Sequence, residues 1–230
     1  MKITHGFGLR AHDLTALFNK TNKISTFMNK LEKQSLIDPI RYDSNKYKGD
    51  GFEFLVEILL KSHAYDNRLG ITNYEPVQSD DTGVDGVGFN LVSEKCVIQI
   101  KYKSNTDTYL TANTDHLSNM FSAAQTKYGI SSINSEIETL KNNISLIGEK
   151  KVQKRIEELV KTTKVKRHYV ITTANGLHNY TDIEMYKSEV LCIGFEQLRA
   201  MLDNNLSFWN LCREIVKNIT DSKLKVVSVK

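Results

Sequence analysis

The residues with the most chemical potential lie between positions 81 and 104, in the stretch DTGVDGVGFNLVSEKCVIQIKYKS. Because side chains alternate along a strand, Gln99 and Lys101 are expected to share one face of an otherwise apolar strand. Asp85 follows a glycine-rich turn and is expected to lie beside this pair across a hairpin. Carboxylate and amide oxygens ligate Mg²⁺, and an ammonium can orient water or stabilise charge on a phosphate. The spacing therefore predicts a small metal-assisted hydrolytic site.

A second carboxylate for this site is predicted on the preceding helix, GDGFEFLVEILLKSHAY. Its apolar stripe begins at Phe52 and recurs at helical spacing. On the helical wheel Glu53 lies immediately beside the apolar arc, and Glu57 lies on the same polar wedge but further from the core. We expect Glu53 to reach the site, with Glu57 as the second choice. The alternative is that both are solvated helix charges.

The surrounding elements follow from hydrophobic periodicity. Two short helices are expected within 12–37, the second capped by Thr21 or Asn22, and 38–51 is typical of a linker or an ordered loop. Further segments predict strands at ITNYEPVQ, GVGFNLV, KCVIQIKYK, HYVITTANG and VLCIGF, and helices at DHLSNMFSAAQTKYG, TDIEMYKSE, FEQLRAMLDNN and SFWNLCREIVKNI. The fold class is α/β, with a central mixed sheet flanked by helices in the order α-β-β-β-α-(helical insert)-β-α-β-α.

Between residues 130 and 165 the pattern predicts a helical insert of two amphipathic helices, with a break near Gly148 and an antiparallel arrangement. Residues 141–167 hold nine Lys or Arg and three Glu, an excess of six positive charges. Such a stretch is either a solvated helical face or a surface for phosphate contact.

Composition sets broad limits on function. The 230 residues are 40% hydrophobic with a formal charge of +4, which supports one sizeable core and permits a nucleic-acid partner. No apolar run reaches membrane-spanning length, and the start lacks a secretory signal, so no membrane partner is expected. Cys96, Cys192 and Cys212 lie far apart, which predicts reduced thiols and an intracellular, cytoplasmic location, nucleoid-associated if the partner is DNA.

Four blocks in order resemble the PD-(D/E)xK nuclease superfamily, and within it the Mrr-type restriction endonuclease group: FEFLVEILL, DDTGVDGVGF, VIQIKYKS and YVITTANGLHNYTDIEMY. VLCIGFEQLRAML resembles the strand and helix that close such domains. The resemblance covers residues 50–202, apart from the insert, and the acidic member of the usual motif is replaced by glutamine. It implies a restriction-endonuclease-like core at 49–205. The sequence pattern, not the resemblance, predicts an N-terminal helical segment at 1–48 and a C-terminal helix and basic tail at 206–230.

Carried over onto this sequence, the resemblance implies four catalytic residues: Glu53, Asp85, Gln99 and Lys101. Asp85, Gln99 and Glu53 would hold Mg²⁺, or Mn²⁺. The implied activity is metal-dependent hydrolysis of DNA phosphodiester bonds by an Mrr-like restriction or homing endonuclease, acting as a homodimer. The residues expected to contact DNA are Lys103, Lys150, Lys151, Lys154 and Arg155.

Three alternatives stay open at this point. The chain is either an active endonuclease, a branched-DNA or repair nuclease, or a catalytically degenerate module that binds DNA or protein. Separately, ISTFMNKLEKQSLI is typical either of a DNA recognition helix or of a helical cap on the core, and the cap is favoured because no wing is visible. Thr172 and Thr173 either contact phosphate or close a turn, and the turn is favoured.

Overall fold

The protein is described by a computed structural model that covers residues 3, 9–37, 43–62, 68–77, 83–111, 115–178 and 190–227. Its centre is a five-stranded sheet and beside it lies a two-stranded one. The strands are β1 (Ile71–Pro76), β2 (Gly86–Asn90), β3 (Lys95–Lys101), β4 (Tyr109–Leu110), β5 (Arg167–Thr172), β6 (Gly176–Leu177) and β7 (Val190–Ile193). The helices are α1 (Ala11–Phe18), α2 (Ile24–Ser35), α3 (Ser44–Ser62), α4 (Leu117–Gln125), α5 (Asn134–Asn142), α6 (Ile144–Ile147), α7 (Glu149–Thr163), α8 (Phe195–Leu202) and α9 (Leu206–Val227).

The large sheet is mixed. Its spatial order is β1-β2-β3-β5-β7, with β4 and β6 forming the small parallel sheet. β1, β2 and β3 form an antiparallel meander, whereas β5 runs parallel to β3 and β7 runs parallel to β5. The predicted α/β architecture, a central mixed sheet flanked by helices, is therefore confirmed, and the carboxyl ends of β3, β5 and β7 meet at one edge.

Alternation along β3 divides the core into two layers. Ile98 and Ile100 face a large cluster built with α1, α2, α3, α8 and α9, and Val97 faces a second cluster built around α4. In the large cluster the Phe18 and Phe27 rings of α1 and α2 pack against Trp209 of α9, each with a centroid distance of 6.3 Å. The first two helices therefore form a cap on the core, as favoured from the sequence.

The start of α3 corrects one expectation. Residues 44–51 were expected in a linker or loop, but α3 begins at Ser44, so the boundary expected between residues 48 and 49 lies inside this helix. The Asp43 carboxylate accepts a hydrogen bond from the Lys46 amide at 2.8 Å and supplies the N-terminal cap. Polar composition alone therefore gave the wrong prediction, because the capping aspartate outweighs it.

The cap of α2 is also different from the expectation. The Ile24 amide donates to Asp203 Oδ1 at 2.9 Å, so a residue 179 positions away caps the helix. Thr21 does not cap it, because its hydroxyl donates to the Leu17 carbonyl at 2.6 Å. Asn22 does not either, and its backbone carbonyl accepts from Asn204 at 2.8 Å.

The remaining predictions on the elements are mostly confirmed. The insert contains a short 3-10 helix (Ile130–Ile133), then α5 and α6, and after Gly148 the longer α7, which packs back against α5. Cys96, Cys192 and Cys212 are free thiols. The helix expected at TDIEMYKSE lies outside the described residues. Within the described ranges no helix has the length and apolarity needed to cross a bilayer.

Candidate active site

Asp85 lies where β2 meets the ends of its two neighbours. Its amide donates to the Ile98 carbonyl at 2.9 Å, and its own carbonyl accepts from the Val77 amide at 3.0 Å. Its side chain adds a further hydrogen bond to β3, since Oδ2 accepts from the Ile100 amide at 2.6 Å. The carboxylate is thus fixed by backbone on β3 and remains only partly buried.

Gln99 lies directly across from this aspartate. Gly86 pairs with Ile98 in the antiparallel register, so one step further along the ladder Asp85 is opposite Gln99. The Gln99 side chain is fully buried, and neither its Oε1 nor its Nε2 has a hydrogen-bond partner among the described residues. Leaving a buried amide unsatisfied costs about 1–3 kcal/mol. The Gln99 amide therefore has both an oxygen acceptor and a nitrogen donor available for a further polar contact.

Lys101 ends β3 two residues later, on the same face as Gln99. It pairs in register with Thr172 of β5 at the edge where the parallel strands end. Its side chain is partly exposed, and its ammonium makes no ion pair with any residue in the described part of the chain. Among the described residues, a positive charge outside any ion pair is thus presented two positions from Gln99 on the same strand.

Glu53 lies on α3, the helix that covers the Ile98 and Ile100 face of β3. The preceding residue, Phe52, packs its ring against Tyr102, with a centroid distance of 6.0 Å, and Tyr102 immediately follows Lys101. This turn of α3 is therefore level with the carboxyl end of β3. Glu53 is partly exposed there, as an acid that must reach a ligand has to be.

Glu57 differs from its expected environment. It was expected further from the core than Glu53, but its side chain is completely buried. Its carboxylate pairs with Lys61 Nζ at 2.6 Å, one turn along the same helix. The i, i+4 spacing of the two residues is visible in the sequence and could have indicated the pair. Glu57 therefore serves as a buried member of an ion pair within α3.

Tyr74 of β1 carries a phenol whose pKa is affected by these carboxylates. Burial raises the pKa of its phenol well above the ordinary value, and the negative charges of Asp85, Glu57 and Glu53 raise it further, in that order. The phenol also lies 3.4 Å from the Asp85 carbonyl. The charges of these three acids therefore all act against ionisation of this phenol.

Sequence patterns alone do not indicate Tyr74, because a β-bulge sets its position. Asn73 adopts a left-handed φ of 50°, and the pairing of β1 with β2 shifts between Thr72 and Glu75. The ring then occupies space that any side chain at position 86 would fill, so Gly86 is required there. Bulges of this kind are common next to active sites, where they redirect a side chain.

The oxygen atoms at this edge suit a hard divalent cation. Asp85 and Glu53 supply carboxylates, and the unsatisfied Oε1 of Gln99 supplies a neutral oxygen, which is the donor type that Mg²⁺ prefers. The described residues contain no group of three or more His, Cys, Asp or Glu side chains arranged around a metal position. A cation here would therefore rely on the glutamine oxygen and on water.

Lys103 is held by protein groups. Its ammonium pairs with Asp115 at 2.5 Å, and Asp115 is nearly buried and also accepts from the Thr111 amide at 2.7 Å. The Lys103 amide donates to the Thr173 hydroxyl at 2.6 Å, which in turn donates to the Lys103 carbonyl at 2.8 Å. Thr173 therefore links the segments that follow β3 and β5. Thr172 closes the turn after β5, as favoured from the sequence, since its hydroxyl accepts a hydrogen bond from the Ala174 amide at 3.0 Å.

The basic residues of the insert lie at the other end of β3. A groove of about 650 Å³ separates α7 from the β2–β3 turn and is lined from Val92 to Glu94 and along α7 from Gln153. The turn is about 20 Å from Lys101 at the rise of an extended strand. The cations that line this groove are Lys161, Lys164 and Lys166. Lys150, Lys151, Lys154 and Arg155 are exposed on α7 but do not line it. The structure does not bring them to the edge that holds Asp85 and Lys101, and their contact with DNA stays a prediction.

Comparisons with known proteins add little to this geometry. No protein-family model matches the chain, and no curated protein matches it. Among solved structures, restriction endonuclease FokI bound to DNA is similar with a TM-score of 0.34 and 10% sequence identity. The match covers 82% of this chain but only 28% of that one. A likeness this weak says nothing more about this chain, so its function has to be inferred from its own residues.

Proposed function

We propose that this protein is a metal-dependent endonuclease that hydrolyses phosphodiester bonds in DNA. One observation carries the proposal: the fully buried Gln99 amide has no hydrogen-bond partner among the described residues and lies between Asp85, which precedes β2, and Lys101 at the end of β3. A buried glutamine, an aspartate and a lysine that forms no ion pair with any described residue, all at one sheet edge, are hard to explain as packing. They match the residues that the PD-(D/E)xK resemblance assigns to catalysis.

The cation would be Mg²⁺ or Mn²⁺, held by Asp85, Gln99 and Glu53. Once bound, it would polarise the scissile phosphate and lower the pKa of a coordinated water. Asp85 contributes a carboxylate whose direction is fixed by the Ile100 amide, so little reorganisation is needed when the ligand arrives. Glu53, on α3, would contribute the second negative charge.

Lys101 supplies a charge where negative charge grows during the reaction. Its ammonium can donate to a non-bridging phosphate oxygen or to the attacking water. Removing a donor that acts mainly on the transition state typically lowers the rate by about 10²–10³-fold. Because the lysine is partly exposed and outside any ion pair in the described region, its removal should leave the fold intact.

We propose further that the enzyme is an Mrr-like homodimer, because a double-strand cut needs two sites. The insert offers apolar surface for such a contact: Leu146 of α6 is 84% exposed, with Ile144 and Ile147 beside it at 39% each. The basic face of α7 would then steer DNA by charge rather than by sequence.

The proposal is tested by incubating supercoiled plasmid with purified protein and Mg²⁺ or Mn²⁺. The wild type should produce nicked or linear DNA, and EDTA should prevent it. Lys101→Ala should lose cleavage while retaining the wild-type melting temperature. Lys141→Ala is a matched control, because Lys141 is an exposed helix lysine on the insert, paired with Glu138 at 2.8 Å.

Equal cleavage by the wild type and by Lys101→Ala would mean a contaminating nuclease or a misplaced site. No cleavage of plasmid, linear or branched DNA by the wild type, with either metal, would reject the nuclease proposal. Preferential cleavage of branched DNA would instead assign the chain to the repair type.

A second candidate, a catalytically degenerate binding module on the same fold, is favoured by one observation. No cluster of three or more acidic, histidine or cysteine ligands is formed by the residues that the structure covers. This module would bind DNA equally well with and without divalent cation, whereas binding by the proposed enzyme should tighten with Ca²⁺ or Mg²⁺. A gel-shift assay in EDTA and in Ca²⁺ separates the two.

A further inference from the structure

We propose that Glu32, on the N-terminal helix α2, is a positioning residue that holds the two site-bearing segments, α3 and the end of β3, in fixed relation. This inference rests on the proposed nuclease function. It assigns the N-terminal helices a role in the site, although none of their side chains would touch DNA or metal.

The contacts of Glu32 reach both segments at once. Its Oε1 accepts a hydrogen bond from the Tyr102 hydroxyl at 2.8 Å, and its Oε2 pairs with Lys48 Nζ at 3.3 Å. The Lys48 ammonium also lies 3.5 Å from the Ser104 hydroxyl, which closes the network. One carboxylate on α2 therefore joins α3 to the segment leaving β3.

These partners are the immediate neighbours of the proposed catalytic groups. Tyr102 directly follows Lys101, and Lys48 precedes Glu53 on α3 by little more than one turn. The Tyr102 ring also packs against Phe52, the residue before Glu53. A shift of Tyr102 would therefore move Lys101 relative to Glu53, and a misplacement of about 1 Å can lower a rate by roughly a hundredfold.

The pKa shifts of Glu32 and Tyr102 agree with a specific contact between the two side chains. Partial burial raises the pKa of its carboxyl, but hydrogen bonds from Ser104 and Tyr102 and the charge of Lys48 outweigh burial, so the pKa is lowered overall. Burial, and after it the hydrogen bond to Glu32, raises the pKa of Tyr102. The charged carboxylate and the neutral phenol are thus the forms that the structure stabilises.

Packing between α2 and α3 provides an independent observation. Gly51 lies in the middle of α3, where glycine costs about 0.5–1 kcal/mol relative to alanine. A Cβ at this position would overlap Leu31 of α2, which is fully buried and adjacent to Glu32. The close approach that glycine permits is what brings the Glu32 carboxylate within reach of Lys48.

The test compares Glu32→Ala, Glu32→Gln and Tyr102→Phe with the control Glu196→Ala. Glu196 is also a helix glutamate paired with a cation, Arg199, but it lies on α8. Two quantities are measured: kcat and KM on DNA, and hydrogen exchange at the Lys103 amide. That amide follows Tyr102 and is held by Thr173, so it reports on this segment without requiring activity.

Glu32→Ala and Tyr102→Phe should speed exchange at the Lys103 amide and lower kcat about tenfold or more, with KM changed less than about twofold. Glu32→Gln should give an exchange rate and a kcat between those of these two variants and those of the wild type. It keeps an acceptor for Tyr102 but loses the charge facing Lys48. Glu196→Ala should change neither quantity. The double variant of Glu32 and Tyr102 should be no worse than the poorer single variant.

Unchanged exchange at the Lys103 amide in Glu32→Ala would overturn the proposal. Faster exchange with a wild-type kcat would also overturn it, since the contact would then serve the fold alone. If the wild type cleaves no DNA, the nuclease function fails and the positioning role fails with it. The exchange data would still decide whether Glu32 holds the end of β3.

Discussion

Substitution of Asp85 should separate a structural role from a chemical one in the same side chain. The carboxylate accepts a hydrogen bond from the Ile100 amide at 2.6 Å, and it faces the unsatisfied amide of Gln99 across the strand pair. Asp85→Asn keeps an oxygen for the Ile100 amide but removes the negative charge. Asp85→Ala removes both. The two variants should therefore agree in activity and differ in stability.

The expected loss of stability depends on whether each variant leaves the Ile100 amide with a hydrogen-bond acceptor. Asp85→Ala leaves the Ile100 amide, on the central strand β3, without a hydrogen-bond acceptor, which costs about 1–3 kcal/mol. In a chain of about this size each kcal/mol lowers Tm by about 2–4 °C, so a loss of about 2–12 °C is expected. Asp85→Asn loses only the added strength of a charged acceptor, which is about 1 kcal/mol. Both variants should stay folded, because domains have about 5–15 kcal/mol of stability.

Urea unfolding and thermal melts give the stabilities, and plasmid cleavage in Mg²⁺ gives the activity. Asp107→Ala, in an exposed loop, is the matched control and should behave as wild type. Equal destabilisation by the asparagine and alanine substitutions would show that the Ile100 amide does not depend on this carboxylate. Wild-type cleavage by Asp85→Asn would remove Asp85 from the metal site.

Three further predictions test the surfaces around the site. Reversing the charges of Lys150 and Lys151 should weaken DNA binding and reduce the salt slope of log K by about 1.8, and an unchanged slope would remove the insert from the DNA surface. Leu146→Glu should shift the protein to monomer in analytical ultracentrifugation, whereas Leu206→Glu, also an exposed leucine, should not; a wild type that is monomeric at every concentration would contradict this. Because the pKa of Glu32 is lowered on folding, its stabilising contribution is present above the ordinary carboxyl pKa and is lost as the pH falls through the lowered value. The stability difference between the wild type and Glu32→Gln, measured in urea, should therefore be larger at pH 7 than at roughly pH 3.

The fold was largely predictable because its elements have strong local patterns. Alternation in KCVIQIK and the helical stripe from Phe52 specify β3 and α3, and both elements are present, although α3 begins earlier than predicted. The errors occurred where long-range contacts or single caps decide the outcome. Asp203 caps α2 from the distant end of the chain, and no local pattern contains that information.

The relative positions of the candidate site residues were predictable for a different reason and to a smaller extent. Hairpin geometry by itself places Asp85 opposite Gln99 once both strands are recognised, and strand alternation puts Lys101 on the same face. Burial of Glu57 and the place of Tyr74 depend on a bulge and on packing between layers, which periodicity does not describe. The contact of Glu32 is harder still to predict, because its partner Tyr102 is 70 residues away in the sequence.

A glutamine rather than an acid at position 99 is consistent with where that side chain lies. A fully buried carboxylate without a partner would be driven to its neutral form, since burial raises the pKa of an acid. The neutral amide avoids this penalty, at a cost of about 1–3 kcal/mol for its missing hydrogen bonds. In the proposed site it also leaves Asp85 and Glu53 as the negative charges that would face a cation, together with the positive charge of Lys101. Metal affinity should then depend strongly on how α3 is held against β3, which is the relation that Glu32, Tyr102 and Lys48 fix.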